Sequence, residues 1–273
     1  MGNNSYPFLL FIYVKLIIMI AEDKIMSLIY SKGKLKINIS TNREELGKAA
    51  ACDGAKILKE LLEKKDEINV IFAAAPSQNE TLKYLLKDED IDWCRINAFH
   101  MDEYVGFGMD NEASFAHYLN EHMFSKVTFK NIYYICCEED YASLIKEHPI
   151  DAVFLGIGEN GHIAFNDPGV ADFNDKEIIK IVKLDEKCRN QQVHDGCFKT
   201  LDDVPLEAKT LTIPVLFSAT YLICSVPGIT KAQAIYDTIN LPISEKCPAT
   251  IMRRHDNSTI YLDKESASLL DIK

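Results

Sequence analysis

Residues 155–169, Leu-Gly-Ile-Gly-Glu-Asn-Gly-His-Ile-Ala-Phe-Asn-Asp-Pro-Gly, put a histidine, carboxylates and four glycines into one short span. Just upstream, Asp151-Ala-Val-Phe-Leu-Gly-Ile has the composition of a strand buried on both faces, and it is broken by Gly156 and Gly158. A strand of that kind belongs to a mostly parallel sheet covered by helices on both sides, so the chain is directed to an α/β fold. In open α/β sheets ligands bind at the carboxyl ends of strands, and glycines let backbone approach them closely. His162 is the natural proton carrier of the loop, since an unperturbed imidazole titrates at about 6.5. Asp167 stands near enough in the chain to orient it. The alternative is a glycine-rich turn in which His162 only satisfies a backbone carbonyl, and spacing alone leaves both readings open.

The chain around this loop alternates between strand and helix patterns. Residues 36–40 read as a short strand, and Ser40 or Thr41 is placed to cap a helix running to about Lys65, with Leu46, Ala50, Ile57, Leu58, Leu61 and Leu62 as its buried stripe. Residues 68–75 predict a buried strand. Pro76-Ser-Gln-Asn-Glu-Thr81 then opens a helix whose first N–H groups suit either a plain cap or a phosphate. Residues 95–101 predict a strand leading into the paired carboxylates Asp102 and Glu103. Helices are expected near 111–124, 138–147 and 188–198, with strands at 132–135, 178–184 and 221–226. Lys231 falls in the first turn of the next helix, where it opposes the helix dipole, so either solvent or an anion must neutralise it. Strands at 249–252 and 259–262 and a short terminal helix complete the expectation. No repeat or linker interrupts residues 27–273, which predict a single catalytic domain.

Composition removes several classes of function. A net charge of −11 without a Lys/Arg cluster argues against nucleic acid as a partner. The eight cysteines form no C-x-x-C pair and read as reduced thiols of a cytoplasmic protein. No His/Cys group has metal-ligand spacing, and His117 and His122 are five apart, so no metal is expected. Residues 6–21 are strongly apolar but short of the roughly 20 residues of a membrane span, and they lack the positive start of a signal peptide. Residues 1–26 therefore read as an extension outside the native domain, with a membrane anchor as the lesser reading.

Three segments in order, Phe99-His-Met-Asp-Glu-Tyr-Val-Gly106, the loop at 155–169 and Val226-Pro-Gly-Ile-Thr-Lys231-Ala, resemble the signature segments of glucosamine-6-phosphate deaminases. Residues 242–255 and Leu262-Asp263 continue the likeness, which spans roughly 36–270. The resemblance implies a Rossmann-like, mostly parallel sheet with helices on both faces, a fold shared with 6-phosphogluconolactonase. It implies conversion of glucosamine 6-phosphate and water to fructose 6-phosphate and ammonia, with a small sugar phosphate as partner, no cofactor and a homo-oligomeric assembly. His162 would open the sugar ring, and Asp102 would move a proton between carbons 2 and 1. Asp167 would orient the imidazole, and Asn160 stands where many family members have aspartate. Lys231 would grip the phosphate, helped by Ser77, Gln78, Asn79 and, by a looser match, Arg189. Glu103, Gly158 and Gly161 would shape the substrate loop.

The departures from the family pattern are specific. Asp167 is one methylene shorter than the usual glutamate, and Ala73-Ala-Ala-Pro-Ser-Gln-Asn79 replaces a Gly-Gly-Thr loop. A galactosamine-6-phosphate deaminase, a lactonase-like hydrolase and a non-catalytic sugar-phosphate sensor remain the alternatives. The sensor would need a DNA-binding module, which residues 1–35 are too short and apolar to form.

Overall fold

The computed structural model describes residues 27–271; the apolar segment expected to be an extension lies outside the described residues. The chain runs β1 (Ser27–Lys32), β2 (Leu35–Ser40), α1 (Arg43–Leu62), β3 (Ile68–Phe72), α2 (Asn79–Leu85), β4 (Ile96–His100), β5 (Asp102–Tyr104), α3 (Phe115–Leu119), β6 (Asn131–Tyr133), α4 (Tyr141–Glu147) and β7 (Ala152–Leu155). It continues through β8 (Ile179–Lys183), α5 (Glu186–His194), β9 (Glu207–Leu211), α6 (Ile213–Phe217), β10 (Tyr221–Val226), α7 (Ala232–Asn240) and β11 (Ser258–Leu262). No helix among the described residues is long and apolar enough to cross a membrane.

Eight strands form one sheet in the order β1-β2-β11-β10-β7-β3-β4-β6. Every pair in it is parallel except the β1–β2 hairpin at one edge. The apolar strands alternate between two cores, as a sheet covered on both faces requires. Ile68, Val70 and Phe72 of β3 face the core that includes Leu46, Leu58 and Leu85, while Ile71 faces the one that includes Ile145, Leu216 and Ile235. β3 leads on to β4 and β6 in one direction, and β7, β10 and β11 extend the other way, so order reverses between β3 and β7. Such a reversal opens a crevice at the strands' carboxyl ends.

A second, antiparallel sheet of β5, β9 and β8 roofs that end. The sequence patterns give β8, expected at 178–184, but miss its partners, because β5 is three residues long and β9, Glu-Ala-Lys-Thr-Leu, is mostly polar.

Other differences have local causes. Helix α1 is capped by Asn42, whose Oδ1 accepts the Glu45 N–H at 2.9 Å, while Ser40 still belongs to β2. Residues 249–252 lie in a 3₁₀ helix, Pro248–Arg254, rather than a strand. Pro248 sets its start, and the Ala249 N–H donates to the Gly161 carbonyl at 2.9 Å rather than to a strand neighbour. The expected terminal helix is a run of turns in which the Asp263 carboxylate accepts the Ser266 N–H.

Candidate active site

A cavity of about 530 Å³ occupies the crevice. Its walls come from the segments that leave the parallel strands: Ala73–Ser77 after β3, Met101 and Asp102 after β4, Gly156–Gly158 after β7, and Pro227–Lys231 after β10. His162, Gln191 and Gln192 close it.

Asp102 and Glu103 are neighbours in β5, so the pleat sends them to opposite faces. Asp102 lines the cavity, 6% exposed, and its carboxylate takes no hydrogen bond from the described residues. Burial, reinforced by the Glu103 charge, raises its pKa well above the ordinary carboxylate range. Glu103 does not line the cavity. It turns back to accept the Tyr104, Phe115 and Ala116 N–H groups at 2.9, 3.2 and 2.9 Å, anchoring the start of α3. Burial pushes its carboxyl up to about 7 against these bonds. The expected substrate-loop role for Glu103 is therefore corrected to a supporting one.

The loop after β7 forms a fixed cradle for His162. His162 Nδ1 lies 2.8 Å from Asn160 Oδ1 and 3.0 Å from Asp167 Oδ1. Two acceptors facing one ring nitrogen require a proton on it, which leaves Nε2 as the basic atom, without a partner among the described residues. Asn160 donates from Nδ2 to Asp167 at 2.9 Å and to Asp185 at 3.0 Å, so its amide orientation is set and its oxygen faces the imidazole. Asp167 thus reaches the ring despite its short side chain. Its burial works to raise the carboxyl, but the hydrogen bonds from His162 and Asn160 outweigh that and leave it below the ordinary range. Gly158 is obligatory by space, since a Cβ there would stand 2.1 Å from His162 Cε1. Gly161 turns at a φ of +82°, the left-handed region suited to glycine.

Lys231, which also lines the cavity, ends the 3₁₀ turn Ile229–Lys231 before α7 and is 5% exposed. Burial lowers its pKa, while Asp195 and Glu159 at longer range partly restore it. It has no ion-pair partner among the described residues, and a buried ammonium lining a cavity is stabilised by an anionic ligand.

The remaining phosphate candidates divide. Ser77 lines the cavity. Gln78 and Asn79 do not: Gln78 Nε2 donates to the Leu155 and Ser225 carbonyls, tying β7 to β10, and Asn79 Oδ1 accepts the Tyr118 hydroxyl. Arg189 lies on the far side of α5, where its guanidinium donates to the Leu201 and Val204 carbonyls. Gln191 and Gln192, two and three residues on, are on the cavity side. The residue that sequence reading missed is Arg43. It lines the cavity from the start of α1, held by Glu80 Oε2 at 2.7 Å and by the Pro76 carbonyl. An arginine in the first turn of a surface helix carries no motif that singles it out.

A family model described as glucosamine-6-phosphate isomerases/6-phosphogluconolactonase matches residues 41–261, which hold all of these walls. The chain belongs to this family. The glucosamine-6-phosphate deaminase of Listeria innocua serovar 6a is 36% identical over 228 residues, 80% of this chain and 95% of that protein. The protein of the same name from Streptococcus suis strain 05ZYH33 is 30% identical over 244 residues, 86% and 100% of the two chains. Among solved structures, a monomeric glucosamine-6-phosphate deaminase superimposes with a TM-score of 0.77 at 27% identity, covering 85% of this chain and 99% of that one. A 6-phosphogluconolactonase from Thermotoga maritima shares the fold, with a TM-score of 0.67 at 20% identity over 84% of this chain and 99% of that one. Within the family fold, the loop after β7 carries Asn160 and Asp167 beside His162, and Lys231 and Arg43 both line the cavity.

Proposed function

We propose that the chain is a glucosamine-6-phosphate deaminase, releasing fructose 6-phosphate and ammonia. The observation that carries this reading is that one cavity is lined by a buried carboxylate, Asp102, an imidazole, His162, and a buried ammonium, Lys231, and that among the described residues neither the Asp102 carboxylate, His162 Nε2 nor the Lys231 ammonium has a partner. A sugar phosphate matches this arrangement. Lys231, Ser77 and Arg43 hold the phosphate, and the reacting carbons lie toward Asp102 and His162.

In the proposed reaction His162 Nε2 takes the proton of the anomeric hydroxyl and returns it to the ring oxygen, opening the pyranose. Asp167 and Asn160 keep the proton on Nδ1 and stabilise the imidazolium formed in passing. Asp102, ionised, removes the proton from carbon 2 and delivers it to carbon 1. Its raised pKa makes it a stronger base than an exposed aspartate. As the amino group gives up a proton and the carbon-1 oxygen gains one, an imine is left at carbon 2; water adds to it and ammonia leaves, giving the ketone. The test is a panel of glucosamine 6-phosphate, galactosamine 6-phosphate and 6-phosphogluconolactone. Ammonia from the gluco epimer at a kcat/KM at least tenfold above the galacto epimer is expected, and hydrolysis of the lactone alone would overturn the reading.

A further inference from the structure

Behind the catalytic carboxylate lies a second cluster that the proposed reaction does not use. His100 ends β4, Glu103 follows in β5, and Cys136 stands after β6, where β6 pairs with β4. One ligand atom from each of the three lies within 4.8 Å of the others. His100 is fully buried, yet neither ring nitrogen has a hydrogen-bond partner among the described residues, and Tyr134 packs edge-on against it at 6.1 Å. Leaving an imidazole wholly unsatisfied in a protein interior is costly, so an orphaned ring aimed at a thiol and a carboxylate points to a missing partner.

We propose that His100, Glu103 and Cys136 form a binding site for a thiophilic divalent cation of the zinc type. The donor set is one imidazole nitrogen, one carboxylate oxygen and one thiolate, a combination that suits zinc rather than magnesium or calcium. Tetrahedral zinc with bonds of about 2.0 to 2.3 Å holds its donors about 3.3 to 3.8 Å apart, so small side-chain rotations close the present spacing. Glu103 retains acceptor capacity, because Oε2 receives only the Ala116 N–H. The fourth position falls to Cys137, whose Sγ is 3.3 Å from that of Cys136, or to water. Cys136 is half-buried and Cys137 exposed, which gives the ion a path from solvent. Binding breaks the Cys136 S–H bond, forms a metal–sulfur bond and releases the proton to solvent. The ion would tie β4, β5 and the segment after β6 together beside Asp102. Sequence spacing does not reveal the group, since the fold brings its members from three separate elements.

The full reduced chain is titrated with cobalt(II) without oxygen, then with zinc. One equivalent of cobalt should give a sulfur-to-cobalt charge-transfer band with tetrahedral visible absorption, and zinc should displace it. The band should be lost in Cys136→Ser and in His100→Asn, with folding of each variant checked by circular dichroism. It should persist in His162→Asn, which breaks the separate group of His162 and Asp167 in the loop with Cys188 in α5. Zinc should also raise the melting temperature of the native chain and leave that of Cys136→Ser unchanged. Absence of the band, its survival in both cluster variants, or its loss in His162→Asn overturns the proposal. Because the readout is optical, its failure is distinct from a failure of the deaminase reading.

Discussion

At the scale of single residues, the account rests on which atoms are bonded and which are left free. The acceptors of Asn160 and Asp167 determine the tautomer of His162, and Gly158 determines where its ring can lie. Gly158→Ala should leave the fold intact but push the imidazole out of line. A displacement of about 1 Å is expected to cost about 10²-fold in kcat/KM, read by steady-state kinetics alongside a thermal melt. For Asp102 the sign of the pH effect is determined. Burial and Glu103 raise its pKa, so the base is protonated, and the enzyme inactive, at pH values where an exposed aspartate would already be ionised. The pH–rate profile should therefore lose activity on the acid side through an apparent pKa well above about 4. A limb at or below that value would contradict the assignment. The same shift favours folding below the unfolded-state pKa, and that contribution is lost as pH rises through the folded-state value.

At the scale of elements, β5 shows how three residues serve two purposes. One face presents Asp102 to the cavity, and the other uses Glu103 to hold the amino end of α3. Glu103→Ala leaves buried N–H groups without an acceptor and is expected to lower stability by about 2 kcal/mol. A chemical-denaturation midpoint with an unchanged slope measures it. Glu103→Gln, which keeps one acceptor oxygen, should fall between. The paired carboxylates were legible in the sequence as a strand-end feature, but their division of labour was not, because nothing in Asp-Glu-Tyr indicates that a short strand will form under a second sheet. Buried strands β3, β4, β7 and β10 were legible because apolar runs of that length have few other uses. The segment at 249–252 was misread for the same reason. Its apolar residues are buried, but a proline at their start and a bond to Gly161 wind them into a helix.

At the scale of the whole molecule, the parallel order of the sheet and its reversal between β3 and β7 bring together residues as far apart as Arg43 and Lys231. The strand-end segments that hold Asp102, His162 and Lys231 could be read beforehand from apolar runs broken by glycine, proline or carboxylates, while the roles expected of these residues and of Asp167 came from the family resemblance and not from spacing. Arg43 could not be placed, and Arg189 was misplaced, because which face of a helix meets a cavity depends on packing that local spacing does not encode. A chain of net charge −11 binding an anionic sugar needs cations in the cavity itself, and Lys231 and Arg43 both line it. The central claim is that Asp102 is the base of a deaminating isomerase. Ammonia and fructose 6-phosphate released from glucosamine 6-phosphate should be followed together in the native chain and in Asp102→Asn. The account predicts equal amounts of both products from the native chain and a rate lowered about 10³-fold or more in the variant. It also predicts a melting temperature no lower than the native one, since the substitution removes a buried charge. Product formation by a folded Asp102→Asn protein at near-native rate would contradict it.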